Sequence, residues 1–171
     1  MAIVLTDNRY YSEIANAIRT QNGTSDKYTP AQMAEAILAL SVIKTIPIDT
    51  SNIDRYFTVS NYSYYFVGSG NVFTTNNIGV DSSTARTTLT ALYDMTISFD
   101  YSYASESGYD KFSLAVGNTS VASGVSGVGT NQYSGTITKG TVITFTYTKD
   151  GSASANGDKC TFSNMVVTGA F

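Results

Sequence analysis

The chain has 171 residues, 42% of them hydrophobic and only 13% charged, against a usual charged share of roughly 25%. That length allows one ordinary domain with a small appendage, and 13 Tyr with 8 Phe exclude a disordered chain. A net charge of −3 without a Lys/Arg cluster excludes a phosphate-backbone partner, and no apolar run reaches the ~18 residues of a membrane span. Neither nucleic acid binding nor membrane insertion is therefore expected.

Residues 1–40 read as a helical hairpin. Tyr11, Ile14, Ala15 and Ile18 fall at i, i+3, i+4 and i+7, one face of a helix that Asp7 or Asn8 can cap and Asn22-Gly23 can close. The second helix opens with Thr29-Pro30-Ala31-Gln32, where Thr29 suits the N-cap, Pro30 the first helical position and Gln32 a capping box. Met33, Ala36, Ile37 and Leu40 repeat the apolar spacing. Each helix has about three turns and is marginal alone in water. Tyr11, Ile14, Ile18, Met33, Ile37 and Leu40 are therefore expected to bury against each other and against another chain, as a docking interface. Met1 to Leu5 lacks the basic start of a secretion signal, so synthesis in a cytoplasm is expected, and the single Cys160 leaves no internal disulfide.

Residues 41–53 read as a connector, because Pro47 forbids a helix interior. Beyond it, over 54–171, the period changes to two. Met95, Ile97, Phe99, Tyr101 and Tyr103 alternate with polar residues, as do Phe112, Leu114 and Val116, and Ile143, Phe145 and Tyr147. Less regular strands are predicted at Phe57–Val59, Tyr62–Val67, Thr84–Leu92, Tyr133–Ile137 and Thr161–Val167. Glycine-rich breaks separate them, among them Gly124 to Gly129. About eight short strands with turns between them predict a mainly β protein, an antiparallel sandwich of jelly-roll-like type behind the hairpin.

The chain contains no histidine, which removes the commonest general base and metal ligand, and one cysteine cannot build a thiolate zinc site. A glycosidase needs only two carboxylates. Asp100, Glu106, Asp110, Asp150 and Asp158 supply pairs, but solvated turn carboxylates are the plainer reading, and no enzyme is expected. Ligand contact is expected on three loops: Ala104–Asp110, Gly124–Gln132 and Asp150–Asp158. The first offers Glu106, Tyr109 and Asp110, a carboxylate-plus-aromatic set able to grip a sugar. The third offers Asp150, Asn156 and Asp158, which would hold calcium if they converged, although a polar turn is the preferred reading and no cofactor is expected. Tyr101, Tyr103, Tyr109 and Tyr133 are weighed as sugar-stacking residues, and tyrosines on alternating strands are read rather as core or core edge.

Two stretches resemble known families. Glu13-Ile14-Ala15-Asn16-Ala17-Ile18-Arg19, Asn22-Gly23-Thr24 and Tyr28-Thr29-Pro30-Ala31-Gln32-Met33-Ala34-Glu35-Ala36-Ile37 resemble the "IANAIR…TPxxMAEAI" hairpin of structural proteins of tailed-bacteriophage virions, of tail-fibre, baseplate or decoration type. Phe145 to Ser152, Gly157-Asp158-Lys159 and Phe162 to Met165 look like the last two strands of bacterial jelly-roll modules ending "YxKDxS…GxDxxxIDNI". Phe162 replaces the Ile of that pattern and Ser163 its following Asp, which puts any role of that Asp in doubt.

The first resemblance implies a virion protein, made in the host cytoplasm and docked on other virion proteins by its helices. Its sandwich would adhere to a host-surface glycan as a tail fibre or receptor-binding accessory. It also implies a homo-oligomer, with a trimer favoured. A capsid decoration protein is the alternative, and a glycan depolymerase ranks third.

Overall fold

The computed structural model describes residues 8–23, 25–38, 43–152 and 155–171. The chain divides into two compact units, Met1–Val42 and Ile43–Phe171.

In the first unit, α1 (Asn8–Asn22) and α2 (Pro30–Leu38) form the hairpin. Gly23 ends α1 at φ 65°, a conformation that costs glycine little. The predicted capping box is formed: the Thr29 N–H donates to Gln32 Oε1 at 2.8 Å, and the Gln32 N–H donates back to Thr29 Oγ1 at 3.4 Å. Such a cap contributes about 0.5–2 kcal/mol. Ala15, Ile18 and Met33 are buried, with Tyr11, Tyr28 and Ala36 packed against them. Asp7, Leu40 and residues 41–42 lie outside the described residues.

The second unit is an antiparallel sandwich. Its first sheet runs β3 (Phe66–Ser69), β4 (Val72–Thr75), β11 (Lys159–Ala170), β6 (Met95–Ala104), β9 (Val128–Ile137), with β1 (Ile43–Pro47) also paired to β11. The second sheet runs β2 (Phe57–Asn61), β5 (Thr84–Ala91), β10 (Val142–Thr148), β7 (Lys111–Val116), β8 (Thr119–Val125). Among consecutive strands only β3–β4 and β7–β8 stay within one sheet, so the chain keeps crossing over the shared core. Burial follows the sequence alternation. Phe112, Leu114 and Val116 point in, as do Ile143, Phe145 and Tyr147. The core centre is a ring cluster: Phe162 stacks on Phe145 at 4.2 Å and on Phe73 at 4.5 Å, and Phe66 leans on both Phe145 and Phe162.

Four expectations change. The connector contains a strand, because Pro47 is barred from a helix interior but not from the end of an edge strand, and β1 pairs Ile43 to Pro47 with Ala170 to Val166. Tyr62 to Tyr65 is not strand; the strand begins at Phe66. Strands β4 and β8 are too short or too poor in large apolar residues to show a period in the sequence. Finally, Gly124–Gln132 is not a loop: β8 runs to Val125 and β9 starts at Val128, leaving Ser126-Gly127 as a tight turn with Gly127 at φ 81°. The break was misread because Gly129 stands inside β9, where the Tyr103 ring lies over it and fills the place of its missing side chain.

Candidate functional site

The loops after β4, β6, β8 and β10 meet at one end of the sandwich. The Ser105 N–H donates to Gly127 O at 2.8 Å, the Gly108 N–H to Ser126 Oγ at 2.9 Å, and Asn156 Nδ2 to Ser105 O at 3.0 Å. The Asp150 N–H donates to Asp110 Oδ1 at 3.0 Å and the Gly79 N–H to Asp158 Oδ2 at 3.1 Å. Two of the predicted ligand loops and the turn left from the third are thus brought together, with residues 76–83 as an unforeseen fourth member.

What ties this end together is a buried polar cluster. Lys149 and Asp158 form an ion pair, with side chains 1% and 3% exposed. The Tyr147 hydroxyl donates to Asp158 Oδ1 at 2.7 Å and lies 3.3 Å from Asp110 Oδ2. Asp110 and Asp158 are therefore not surface ligand residues, a correction to the expectation. Each continues the inward side of a neighbouring strand, Asp110 ahead of Phe112 and Asp158 ahead of Cys160, and each is taken up by core partners. Replacing Asp110 would probe the fold, not a ligand. The condition set for calcium is not met either. Asp158 accepts from Tyr147, Lys149 and the Gly79 N–H, Asp150 Oδ1 accepts from the Ser152 N–H, and the Asn156 amide is turned so that Nδ2 donates to Ser105 O. No metal-holding group of three or more His, Cys, Asp or Glu occurs among the described residues.

Of the first loop's trio, only Tyr109 stands out, at 61% exposure; Glu106 is half-buried, with Oε2 covered and lacking a hydrogen-bond partner. Asp150 is half-buried and Asn156 exposed. Tyr101 is buried and stacks on Phe112, while Tyr103 and Tyr133 pack against the core edge, as the plainer reading had them. On the hairpin, Ile18 and Met33 are buried and Tyr11 half-buried, but Ile14 and Ile37 remain 40% and 47% exposed within this chain. Residues that the sequence reading passed over are Tyr62 and Arg86. Tyr62 is 61% exposed, and the Arg86 guanidinium sits 5.2 Å from its ring centre. The signal was parity: Arg86 occupies an outward position of β5, and Tyr62, one residue past the end of β2, lies opposite it.

Burial pushes the Tyr147 hydroxyl far above the ordinary 10.0, with the Asp110 carboxylate and then Cys160 adding to it. Burial likewise pushes the Cys160 thiol well above 9.0; a backbone hydrogen bond at Ala104 opposes this and Asp110 adds to it. Both groups keep their protons in the folded chain at pH values where the unfolded chain releases them. Their stabilisation is complete below the unfolded values and is lost as pH rises past 9 and then 10. The urea midpoint should be flat to about pH 9 and fall above it. In parallel, native Cys160 should resist a thiol reagent at pH 8 and react once the chain is unfolded in urea. Fast labelling without urea would overturn this account of its burial.

No protein-family model matches the chain, and no curated protein sequence matches it. Among solved structures it is similar to the secreted serine protease VesC from Vibrio cholerae, at 12% identity and a TM-score of 0.55, over 72% of this chain but only 27% of that one. The chain thus spans about a quarter of the length of VesC, and the likeness is one of fold. Family 29 carbohydrate-binding modules also align, with TM-scores of 0.44 and 0.43 at 14% and 13% identity, over 74% of this chain and 91% and 92% of theirs. At these scores neither alignment carries a residue-level correspondence. The fold thus defines the chain as a β-sandwich protein with an N-terminal helical hairpin.

Proposed function

We propose that this is a structural protein of a tailed-phage virion, docked by its hairpin and presenting the sandwich to a glycan on the host surface. The observation that carries it is the hairpin. The stretch that resembles the virion motif folds as a capped helix pair in a compact unit of its own, yet leaves Ile14 and Ile37 exposed. Apolar side chains left outside so small a core gain free energy by burial against another surface. The virion supplies that surface, and copies arranged as a trimer would multiply weak single contacts into avidity. The sandwich suits presentation, because its loops gather at one end while the buried Lys149–Asp158 pair fixes their roots. No catalytic step is assigned: the chain has no histidine, and two of its five candidate carboxylates are spent inside the core.

The test is a phage carrying this gene without codons 1–42. The truncated protein should fold, since the sandwich is a separate compact unit, but should be missing from purified particles. Normal incorporation would refute docking by the hairpin. Imaging tagged copies on the tail would favour adhesion, and copies on the head would transfer the protein to capsid decoration. Reducing ends released from host polysaccharide would establish a depolymerase instead.

A further inference from the structure

The second sheet differs in charge from the rest of the chain. Its five strands contain Arg86 and Lys111 and not one Asp or Glu, in a protein whose net charge is −3. Register places Arg86 opposite Thr146, and Thr146 opposite Ser113. On the other side the Tyr62 N–H donates to Arg86 O at 3.1 Å, continuing the pairing of Asn61 with Thr87. Tyr62, Arg86, Thr146 and Ser113 therefore form one row across the outer face. Lys111 and Thr148 stand opposite each other one step along the same face, two residues further on each strand.

Arg86 is the unusual member of the row. Among the described residues it has no carboxylate partner, its Nε–H is buried without an acceptor, and its side-chain contact is the Tyr62 ring. A guanidinium set over an aromatic ring offers its terminal N–H groups as a pair of donors, matched in shape to a carboxylate. The Tyr62 ring adds an exposed flat apolar surface beside that pair, and the threonine and serine hydroxyls both donate and accept. Two cations are too few to follow a polyphosphate backbone.

We infer that the Tyr62–Arg86–Thr146 row on the outer face of the second sheet binds an acidic sugar. The carboxylate of a uronate-type residue sits on Arg86 and the face of its pyranose ring lies against Tyr62. This rests on the glycan reading proposed above, and it adds a site on a sheet face, two residues along the strands from the loop end.

The test is calorimetric titration of the full chain at low salt with tetragalacturonate, its methyl ester and a sulfated tetrasaccharide. Tetragalacturonate should bind best and weaken as salt is added. Arg86→Gln should lower its affinity about tenfold or more, with Arg86→Lys in between, because lysine keeps the charge and loses the donor pair. Tyr62→Ala should weaken binding several-fold, whereas Lys139→Gln, the same charge change on an exposed turn, should not. Thermal unfolding of each variant shows whether the sheet is intact. Equal affinity for the methyl ester, or an Arg86→Gln variant that binds like wild type, would overturn this site while leaving glycan binding in place. A sulfated ligand that binds as well as the uronate would overturn the carboxylate assignment. Silence from every saccharide would overturn both this site and the glycan reading.

Discussion

Replacing Lys149 by alanine should cost the sandwich about 3–5 kcal/mol, the usual loss when one partner of a buried ion pair is removed. Asp158 would lose its counter-charge with its side chain only 3% exposed. Tyr147 and the Gly79 N–H would still donate to it, but neither supplies a positive charge. The damage should reach the whole loop end, because Gly79, Tyr147, Asp110 and Asp150 all hang on this cluster. The double variant Lys149→Met, Asp158→Asn should recover much of the loss, since it removes both charges together. Asparagine also tolerates the left-handed backbone that Asp158 adopts at φ 51°. Urea unfolding of the wild type, the single and the double variant measures this. A single-variant loss below about 1 kcal/mol would mean that the pair is not buried as described.

Phe162→Ala should be comparably severe, again about 3–5 kcal/mol. Phe162 is fully buried and touches rings from three other strands: Phe145 across the sandwich, and Phe73 and Phe66 in its own sheet. Truncation would leave a cavity between the sheets that rigid strands cannot close. Phe162→Ile, the residue of the jelly-roll pattern, should cost clearly less, because it keeps much of the volume. If the two substitutions proved equal in urea, ring packing would not be what holds the sheets together here.

The alternation rule found the strands that bury one face and exposed nothing of those that do not. β7 and β10 were legible because each inward place holds a large apolar residue. β1 was hidden by its proline and its exposure, and β9 was cut short by Gly129, whose missing side chain is replaced by the Tyr103 ring. The buried cluster shows a different limit. Asp110 and Asp158 read as loop residues because they are charged and stand beside glycine-rich turns, and Lys149, which adjoins the third loop, drew no notice. Yet each extends an inward row by one place, Lys149 following Ile143, Phe145 and Tyr147. Parity carried through the strand end would have placed a lysine inside and demanded carboxylates for it. What sequence could not supply was which carboxylates, since Asp110 and Asp158 come from two different loops. The helix caps, by contrast, are local, and Thr29 and Gln32 could be paired from spacing alone.

The pairing of β1 with β11 also determines how the sandwich carries load. β11 starts at Lys159 beside the loop end and finishes at Ala170, which lies opposite Ile43. Twelve residues of strand separate these points by about 35 Å. The chain therefore joins the sandwich at the end of β11 remote from the loops. A pull on Ile43 along the strand, resisted at the loops, acts across the β1–β11 hydrogen bonds, which run perpendicular to the strands. They are strained together in shear instead of opening one after another like a zip, so the strand should hold against tension far better than its five residues and exposed side chains suggest.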